Sequence, residues 1–468
     1  MKTTNPGDTD PRSGAPTHAM PPRAVPRVSA AMPSTSAPST AAALDLAVRE
    51  AGRARANVLD SMTNAEMIEI LAAAAAAWMD PNYPARVRLL PLLARDLAMP
   101  KVLLERGLNA IFGAITPTAL YRLVANEAEV PEALEHPVEL PGRRTARLLG
   151  PRVVFHSLAG NVPGLAIPPI VSALLARSIC ILRDSERQPW LTAAFVSTLA
   201  DFSKDLAAMV IPASWRAGDM GMERLVFDLA HRVELSGSDA TMRSIVSRHP
   251  RRPIVTRGTR VSIGFIPRES DTDRWQEGLA TDIVLYEGLG CLTPHVIFVE
   301  GDDRRARRLA RVLGIQLSRY EALCPRMPRD LPAETRRRAF LDGCELASLR
   351  EGDGQLLRGR GDGWVIHYRP LAPAAPGPGL RCVVIASVAS RAELVERLRH
   401  ATVPLAGVAL GLEADHPAYE DIVSTLEGLG ATWVCEPGRL QEPPIDWAQD
   451  GQHRLADLLE WRSIEESA

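Results

Sequence analysis

The sequence has no apolar run long enough to cross a bilayer. Its best candidate, Leu71–Met79, is nine residues, mostly Ala, where a span needs about 20. Excess charge of either sign is also missing. Lys and Arg total 54 against 56 Asp and Glu, a formal net charge of −2. That balance argues against a chain that grips nucleic acid or an anionic membrane by bulk positive charge. Cysteine is scarce: six residues, with no Cys-x-x-Cys pair and no histidine partner at zinc spacing. A disulfide-stapled module and a structural zinc site are thereby excluded, and free thiols in a reducing cytoplasm are expected. A Gly-x-Gly-x-x-Gly fingerprint, an internal repeat and a collagen or coiled-coil composition are all absent.

What is present is an ordinary globular composition. The chain has 468 residues, 46% of them hydrophobic, which predicts two or three domains at roughly 150 residues each. Proline is in excess at 38 residues, eight of them within 1–43. That stretch mixes Pro with Ala, Ser and Thr and has no aromatic residue, so it cannot bury enough apolar surface to offset its ordering entropy. Residues 1–43 therefore read as a disordered tail, and without a continuous apolar run they are not a secretory signal.

From Leu44 to about Ala146 the apolar spacing is helical, in Leu44–Leu59, Met67–Trp78, Val87–Leu97 and Leu103–Ile111. Thr63 and Glu66 have the spacing of a capping box. From Arg152 the texture becomes alternating. Strands are expected at Val153–Phe155, Ile179–Leu182, Val210–Ile211, Arg232–Leu235 and Ile254–Thr256. Helices are expected at Pro163–Ala176, Leu191–Met209, Glu223–His231 and Asp239–His249. This is a βαβ pattern with a parallel sheet, of the kind that binds dinucleotides. A second α/β block starts near Gly258, with strand Val261–Ile266, helix Asp271–Glu287, strand His295–Val299 and helix Arg304–Tyr320.

Four segments can carry chemistry. Cys291 follows Gly288-Leu289-Gly290. Glycines let the main chain approach a ligand closely, and turn amides can lower a thiol pKa and hold an oxyanion. Asn161 lies in Gly160-Asn161-Val162-Pro163-Gly164, at a strand-to-helix loop. Its amide can donate to an oxyanion, or it can serve as an Asx turn or helix cap. Arg183, Ser185 and Glu186 follow a strand end, where a nucleotide ribose or its 2′-phosphate is read. Gly237 and Ser238 open a helix whose N-terminal amides suit a pyrophosphate. His156 and His295 lie near these segments and read as satisfied structural histidines.

Together these segments resemble the acyl-CoA reductase family of the LuxC type, a branch of the aldehyde dehydrogenase superfamily. The matching stretches include LAGNVPGLAIPPIVSALLARSICILRDSERQP, LSGSDATMRSI, DIVLYEGLGCLTPHVIFVE and the closing LGATWVCEPGRLQEPPIDWAQDGQHRLADLLEW. The resemblance spans roughly residues 100–465. It implies an α/β, aldehyde dehydrogenase-like fold with a Rossmann-like cofactor domain and an α/β thiol domain. The implied boundaries are 44–257 for the helical region and cofactor domain, completed by 431–468, and 258–430 for the thiol domain. It further implies that Cys291 is the nucleophile that forms a thioester, with Asn161 stabilising the oxyanion. Arg183, Ser185, Glu186, Gly237 and Ser238 would face the cofactor. Hydrolytic members of the superfamily carry a Glu base upstream of the cysteine. Here the corresponding stretch, Arg257-Gly258-Thr259-Arg260-Val261, has no carboxylate, so hydrolysis of an acyl-enzyme should be slow.

The function so implied is reduction of an acyl-CoA or acyl-carrier thioester to an aldehyde through an acyl-cysteine, with NADPH as the cofactor and NADH as the alternative. Arg183 and Arg187 favour the 2′-phosphate of NADPH, whereas Glu186 favours a free ribose. An aldehyde-oxidising dehydrogenase of the same fold and a non-catalytic subunit of an acyl-transfer complex are the competing readings. The expected partners are the thioester substrate, further copies of the chain and an acyl-transferring protein. The expected location is the cytoplasm.

Overall fold

The computed structural model describes residues 38–140, 144–185, 190–216, 218–351 and 354–465. Most of the expected tail and Glu186 fall outside them. Helix α1, Ala41–Ser61, begins three residues before the expected Leu44, because the Thr40 side chain accepts from the Ala43 amide and caps it. Helix α2, Asn64–Met79, starts at the capping box that Thr63 and Glu66 predict. Its Ala run is buried nearly all round, from Met67 to Trp78, which accounts for an apolar stretch in a core helix. Helices α3 (Pro84–Asp96), α4 (Lys101–Gly113) and α5 (Pro117–Glu127) pack with it. Trp78 stacks on Phe112 at 5.1 Å and donates from Nε1 to Thr198 at 3.1 Å. Short strands β1 (Val138–Leu140) and β2 (Arg144–Leu149) then pair antiparallel.

The first parallel unit alternates strand and helix. Its elements are β3 (Val153–Ser157), α6 (Ile167–Leu175), β4 (Ile179–Arg183), α7 (Trp190–Phe202), α8 (Lys204–Ala208) and β5 (Val210–Ala213). It continues through α9 (Met220–Leu229), β6 (Arg232–Ser236), α10 (Asp239–Arg248) and β7 (Ile254–Arg257). The single helix expected over Leu191–Met209 is two, because the Ser203 hydroxyl accepts from the Leu206 amide and starts a second helix. The strand order is β5-β4-β3-β6-β7, parallel throughout. Order reverses between β3 and β6, so the loops after these two strands flank a crevice at the carboxyl edge.

The second unit runs β8 (Val261–Ile266), α11 (Gln276–Val284), β9 (Pro294–Glu300), α12 (Asp303–Leu323), α13 (Leu331–Glu351) and β10 (Gln355–Arg358). It ends with β11 (Val365–Tyr368), β12 (Cys382–Val388), α14 (Arg391–Arg399), β13 (Leu405–Leu410), α15 (Tyr419–Gly428) and β14 (Trp433–Cys435). These strands form a seven-stranded sheet, β10-β11-β12-β9-β8-β13-β14, in which β10 alone runs antiparallel. The closing segment is shared out. Strand β14 lies in this sheet, whereas β15 (Glu460–Glu465) pairs with β2, Trp461 opposite Leu148. No single helix among the described residues is long and apolar enough to cross a membrane.

Candidate active site

Cys291 sits between α11 and β9, on a loop the chain cannot form as a helix. The helix expected to reach Glu287 stops at Val284, and Tyr286, Glu287 and Gly288 take φ of 55°, 56° and 66°. Left-handed backbone is costly for Tyr and Glu, so the surroundings must hold it. They do so by facing it with a second left-handed run, Gly379, Leu380 and Arg381, at φ of 68°, 54° and 59°. The Leu380 amide donates to the Glu287 carbonyl at 2.8 Å. The Arg381 guanidinium grips the Glu287 carboxylate at 2.9 and 2.8 Å, and both side chains are essentially inaccessible to solvent. Arg381 also bonds Glu321 at 2.8 Å.

The other side of the loop is fixed by the closing segment. Gln441 is buried and donates from Nε2 to the Asp282 and Leu285 carbonyls at 2.7 and 2.9 Å. A Cβ on Gly290 would collide with Gln441 Oε1. The glycine before the cysteine therefore makes room for a protein side chain, not for the ligand that the sequence suggests. The Asp282 carboxylate accepts from the Gly438 and Leu440 amides at 2.7 and 3.1 Å, and burial pushes its pKa up to about 7. The Ser262 hydroxyl donates to the Cys291 carbonyl at 3.0 Å.

Of the six cysteines, Cys291 alone is exposed. The expectation of a lowered thiol pKa is reversed. The Cys291 and Leu292 amides and Arg454 do favour the thiolate, but although the residue reaches the surface, the protein packed around it desolvates the sulfur, and this, aided by the Asp450 carboxylate, outweighs them and pushes the thiol up to about 11. The resting species at neutral pH is the thiol.

Asn161 is exposed on the loop after β3, and among the described residues its amide has no hydrogen-bond partner. Helix α6 begins later than expected, at Ile167, with Ala166 as its cap and no side-chain cap bond. Asn161 is thus no helix cap. Ser238 caps α10 through the Thr241 amide, and a Cβ on Gly237 would meet open space. Asn161, Gly237 and Ser238 all stand on the loops that flank the sheet's reversal point. Arg183 ends β4, its guanidinium 5.1 Å from the Trp215 ring and bonded to the Trp215 carbonyl at 3.2 Å. Ser185 is half-buried just beyond. Asp184, between them, is pushed up to about 6 by burial and lines a one-water cavity with Leu158 and Thr192.

Sequence reasoning missed a charged network that joins the two sheets. Arg257, at the end of β7, donates to the Gln449 carbonyl at 3.0 Å and lies 3.5 Å from Glu234 and 3.8 Å from Asp450. Arg260 pairs with Asp450 at 2.6 Å. Glu234 in turn lies 3.6 Å from His156 Nδ1. No local motif signals this network, because its members, from His156 to Asp450, are spread over nearly three hundred residues of sequence. The two histidines are not fully satisfied: His156 Nε2 and His295 Nδ1 are buried without partners. Burial lowers both, His295 to about 4, so each is neutral at pH 7.

A groove of about 580 Å³ runs between the α4–α5 corner and residues 433–444, with Ala110, Ala114, Thr116, Trp433, Glu442 and Pro443 among its walls. That is within the ~300–1,000 Å³ of small-molecule sites. Its Glu442 wall neighbours Gln441, which packs on Gly290, and bonds Arg106 of α4 at 3.5 Å.

A family model described as acyl-CoA reductase (LuxC) matches residues 59–461. The chain is 21% identical over 416 residues to long-chain acyl-protein thioester reductase 2 of Photobacterium leiognathi, covering 87% of this chain and 84% of that one. It is 23% identical over 414 residues to the long-chain acyl-protein thioester reductase of Photobacterium phosphoreum, covering 86% and 80%. Among solved structures it superposes on an aldehyde dehydrogenase from Burkholderia cenocepacia with a TM-score of 0.71, 17% identity and coverage of 91% and 89%. It also matches glyceraldehyde-3-phosphate dehydrogenase GapN from Methanocaldococcus jannaschii, complexed with NADP, at a TM-score of 0.66, 14% identity and coverage of 91% and 95%. The fold is that of the aldehyde dehydrogenases.

Proposed function

The chain belongs to the acyl-CoA reductase (LuxC) family, and from that premise we propose that it reduces an acyl thioester, carried on protein or CoA, to an aldehyde. The observation that carries this reading is an exposed Cys291 on a rigid, doubly anchored loop, with no carboxylate in the stretch 257–261 to activate a hydrolytic water. The sign of that stretch is in fact inverted: Arg257 stands there, committed to Gln449 and Glu234.

Cys291 loses its proton and its sulfur bonds the acyl carbonyl carbon. The Asn161 amide, free of other partners, is the donor proposed for the developing oxyanion. The leaving thiolate takes up a proton as the C–S bond to the carrier breaks, so acylation is proton-neutral overall. A reduced nicotinamide, when bound, supplies a hydride to the acyl carbon. The resulting thiohemiacetal oxyanion re-forms a carbonyl and expels the Cys291 thiolate, which needs no acid at the aldehyde oxygen. With a thiol pKa of about 11, the expelled thiolate then recovers its proton from water.

The crevice fits a nicotinamide dinucleotide. The open space over Gly237 admits close approach, α10 presents its N-terminus there, and Arg183 ends β4, on the far side of β3. Gly237 and Ser238 are proposed at the pyrophosphate, with Arg183 and Ser185 toward the adenosine ribose. NADPH is the proposed cofactor. The groove beside Gln441 is the proposed path of the acyl chain. The proposed assembly is a homo-oligomer in the cytoplasm that works with an acyl-transferring protein.

Intact-protein mass spectrometry with an acyl-CoA panel tests the reading. An acyl adduct on Cys291 should form without cofactor, survive in water and discharge as aldehyde on adding NADPH. A Cys291→Ala variant that still forms the adduct, or wild-type protein that forms none with any CoA or carrier thioester, overturns it.

A further inference from the structure

The amino edge of the five-stranded sheet, opposite the crevice, gathers cations that nothing in the reaction uses. Arg177 lies two residues before β4, and Arg152 immediately precedes β3. Arg55 lies on α1, and Arg147 and Arg462 face each other in register across β2 and β15. The contacts are direct. Arg55 Nε donates to the Arg177 carbonyl at 2.6 Å. Arg177 Nε donates to the Leu134 carbonyl at 2.6 Å, and Arg147 donates to the adjacent Glu135 carbonyl at 2.7 Å and to Leu59 at 2.9 Å. The two guanidiniums thus share one turn of chain. Like charges paired across strands are ordinarily avoided.

Carboxylates do not balance this group. Among the described residues Arg55, Arg147, Arg152 and Arg177 have no ion-pair partner within 4 Å, and Arg462 has only the exposed Glu460 at 2.8 Å. The Glu135 charge bears on Arg177, but its Oε1 accepts from the Asn64 amide at 2.7 Å, and Arg177 Nη2 donates to Asn64 Oδ1 at 2.9 Å. Arginine itself is no signal in this chain, whose lysines are only Lys2, Lys101 and Lys204. The signal lies in unmet donors. Arg177 is wholly buried, yet its Nη1 has no partner, and neither has the buried Arg147 Nε or the buried Ser178 Oγ beside Arg177. Buried polar atoms without partners are few in native proteins, and a cluster of them implies a missing ion or water. Burial and the Arg147 charge push Arg177 down to about 10, so it is still cationic at neutral pH.

We propose that this cluster binds a phosphate-type oxyanion, at a site separate from the nicotinamide crevice. Arg177 and Arg147 supply positive charge from beneath it, with an Nη1 and an Nε donor that no protein group takes up. Arg55 is half-buried at the wall, and the exposed Arg152 and Arg462 form the mouth.

The test is thermal unfolding and calorimetric titration of the full chain, saturated with NADPH so that the crevice is already filled, against inorganic phosphate. A chloride control at equal ionic strength removes general screening. Phosphate in tenfold excess over its Kd should raise the unfolding midpoint by about 1–3 °C. Arg177 is too buried to truncate safely, so Arg152→Ala and Arg55→Gln are the variants. Each should weaken phosphate at least about tenfold, whereas Arg183→Ala, in the crevice, should not change it. The inference is overturned if phosphate does no more than chloride. It is equally overturned if the two variants bind phosphate as the native chain does, or if Arg183→Ala abolishes binding. None of these readouts depends on reductase activity, so failure here is distinguishable from failure of the proposed reaction.

Discussion

Replacing Arg381 by Met tests what holds the Cys291 loop. Arg381 and Glu287 are 1% and 0% exposed at the side chain, and two bonds of 2.9 and 2.8 Å join them. At an effective dielectric of ~20 such a contact is worth about 4 kcal/mol of attraction, most of it needed to offset desolvation. The pair therefore adds little net stability, but breaking it strands a buried carboxylate, which costs about 3–5 kcal/mol. Glu321 loses a bond too, yet its side chain is 21% exposed and can turn to water. Backbone strain is unchanged, since Met at φ 59° is no worse placed than Arg. Chemical denaturation should show Arg381→Met less stable by that amount, with Glu287→Gln in the same chain recovering most of it. The pH dependence has a definite sign. Burial already raises Glu287 above the usual carboxylate range and Arg381 opposes this, so losing Arg381 raises it further. A raised acid favours the folded state at low pH and loses that advantage as pH rises through its folded pKa. The variant should thus close on the native protein as pH falls from 8 toward 5. A loss under about 1 kcal/mol, or an equal loss in the double variant, would refute the reasoning.

Three further outcomes are expected. Asp450→Asn removes a negative charge beside the thiol and frees Arg257 and Arg260, so thiolate at pH 8 should rise about tenfold, read as faster alkylation of Cys291 by iodoacetamide; an unchanged rate would count against the network. Gly290→Ala should cost about 2–4 kcal/mol by displacing Gln441 from two buried carbonyls, and adding Gln441→Ala should restore space but not the bonds, so thermal melts should show only partial recovery. Asp282, at about 7, and Asp184, at about 6, have folded pKa values above their unfolded ones; their contribution falls as pH rises from 4 to 7, and Asp282→Asn should flatten that slope in melting-temperature scans.

Local signals carried much of the fold. The capping box at Thr63, the period-3.6 runs before residue 115 and the alternation from Val153 to Arg257 were each visible, because propensity and tertiary packing agree there. Helices α13 and α15 and strands β1, β2, β10, β13, β14 and β15 escaped notice: β1 and β14 are three residues each, and α13 has no consistent apolar face. The two breaks in expected helices, at Ser203 and at Tyr286, differ in kind. Ser203 is a local cap and could have been seen. Nothing in Leu285-Tyr286-Glu287 announces left-handed backbone, which persists only because Arg381, ninety-four residues on, reaches Glu287.

The same division holds at the site. Sequence alone determined the α/β alternation, the family resemblance and the candidates Cys291, Asn161, Arg183, Gly237 and Ser238, since these are residue types at fixed spacing in short segments. Only the tertiary structure decided how the sulfur is charged and held. Burial and Asp450 outweigh the turn amides, Gly290 yields its space to Gln441, and Arg257 binds Gln449 and Glu234 where a base would otherwise stand. Those outcomes depend on solvent exclusion and on charges brought together across the chain, and neither quantity exists until the sheets and the closing segment have packed.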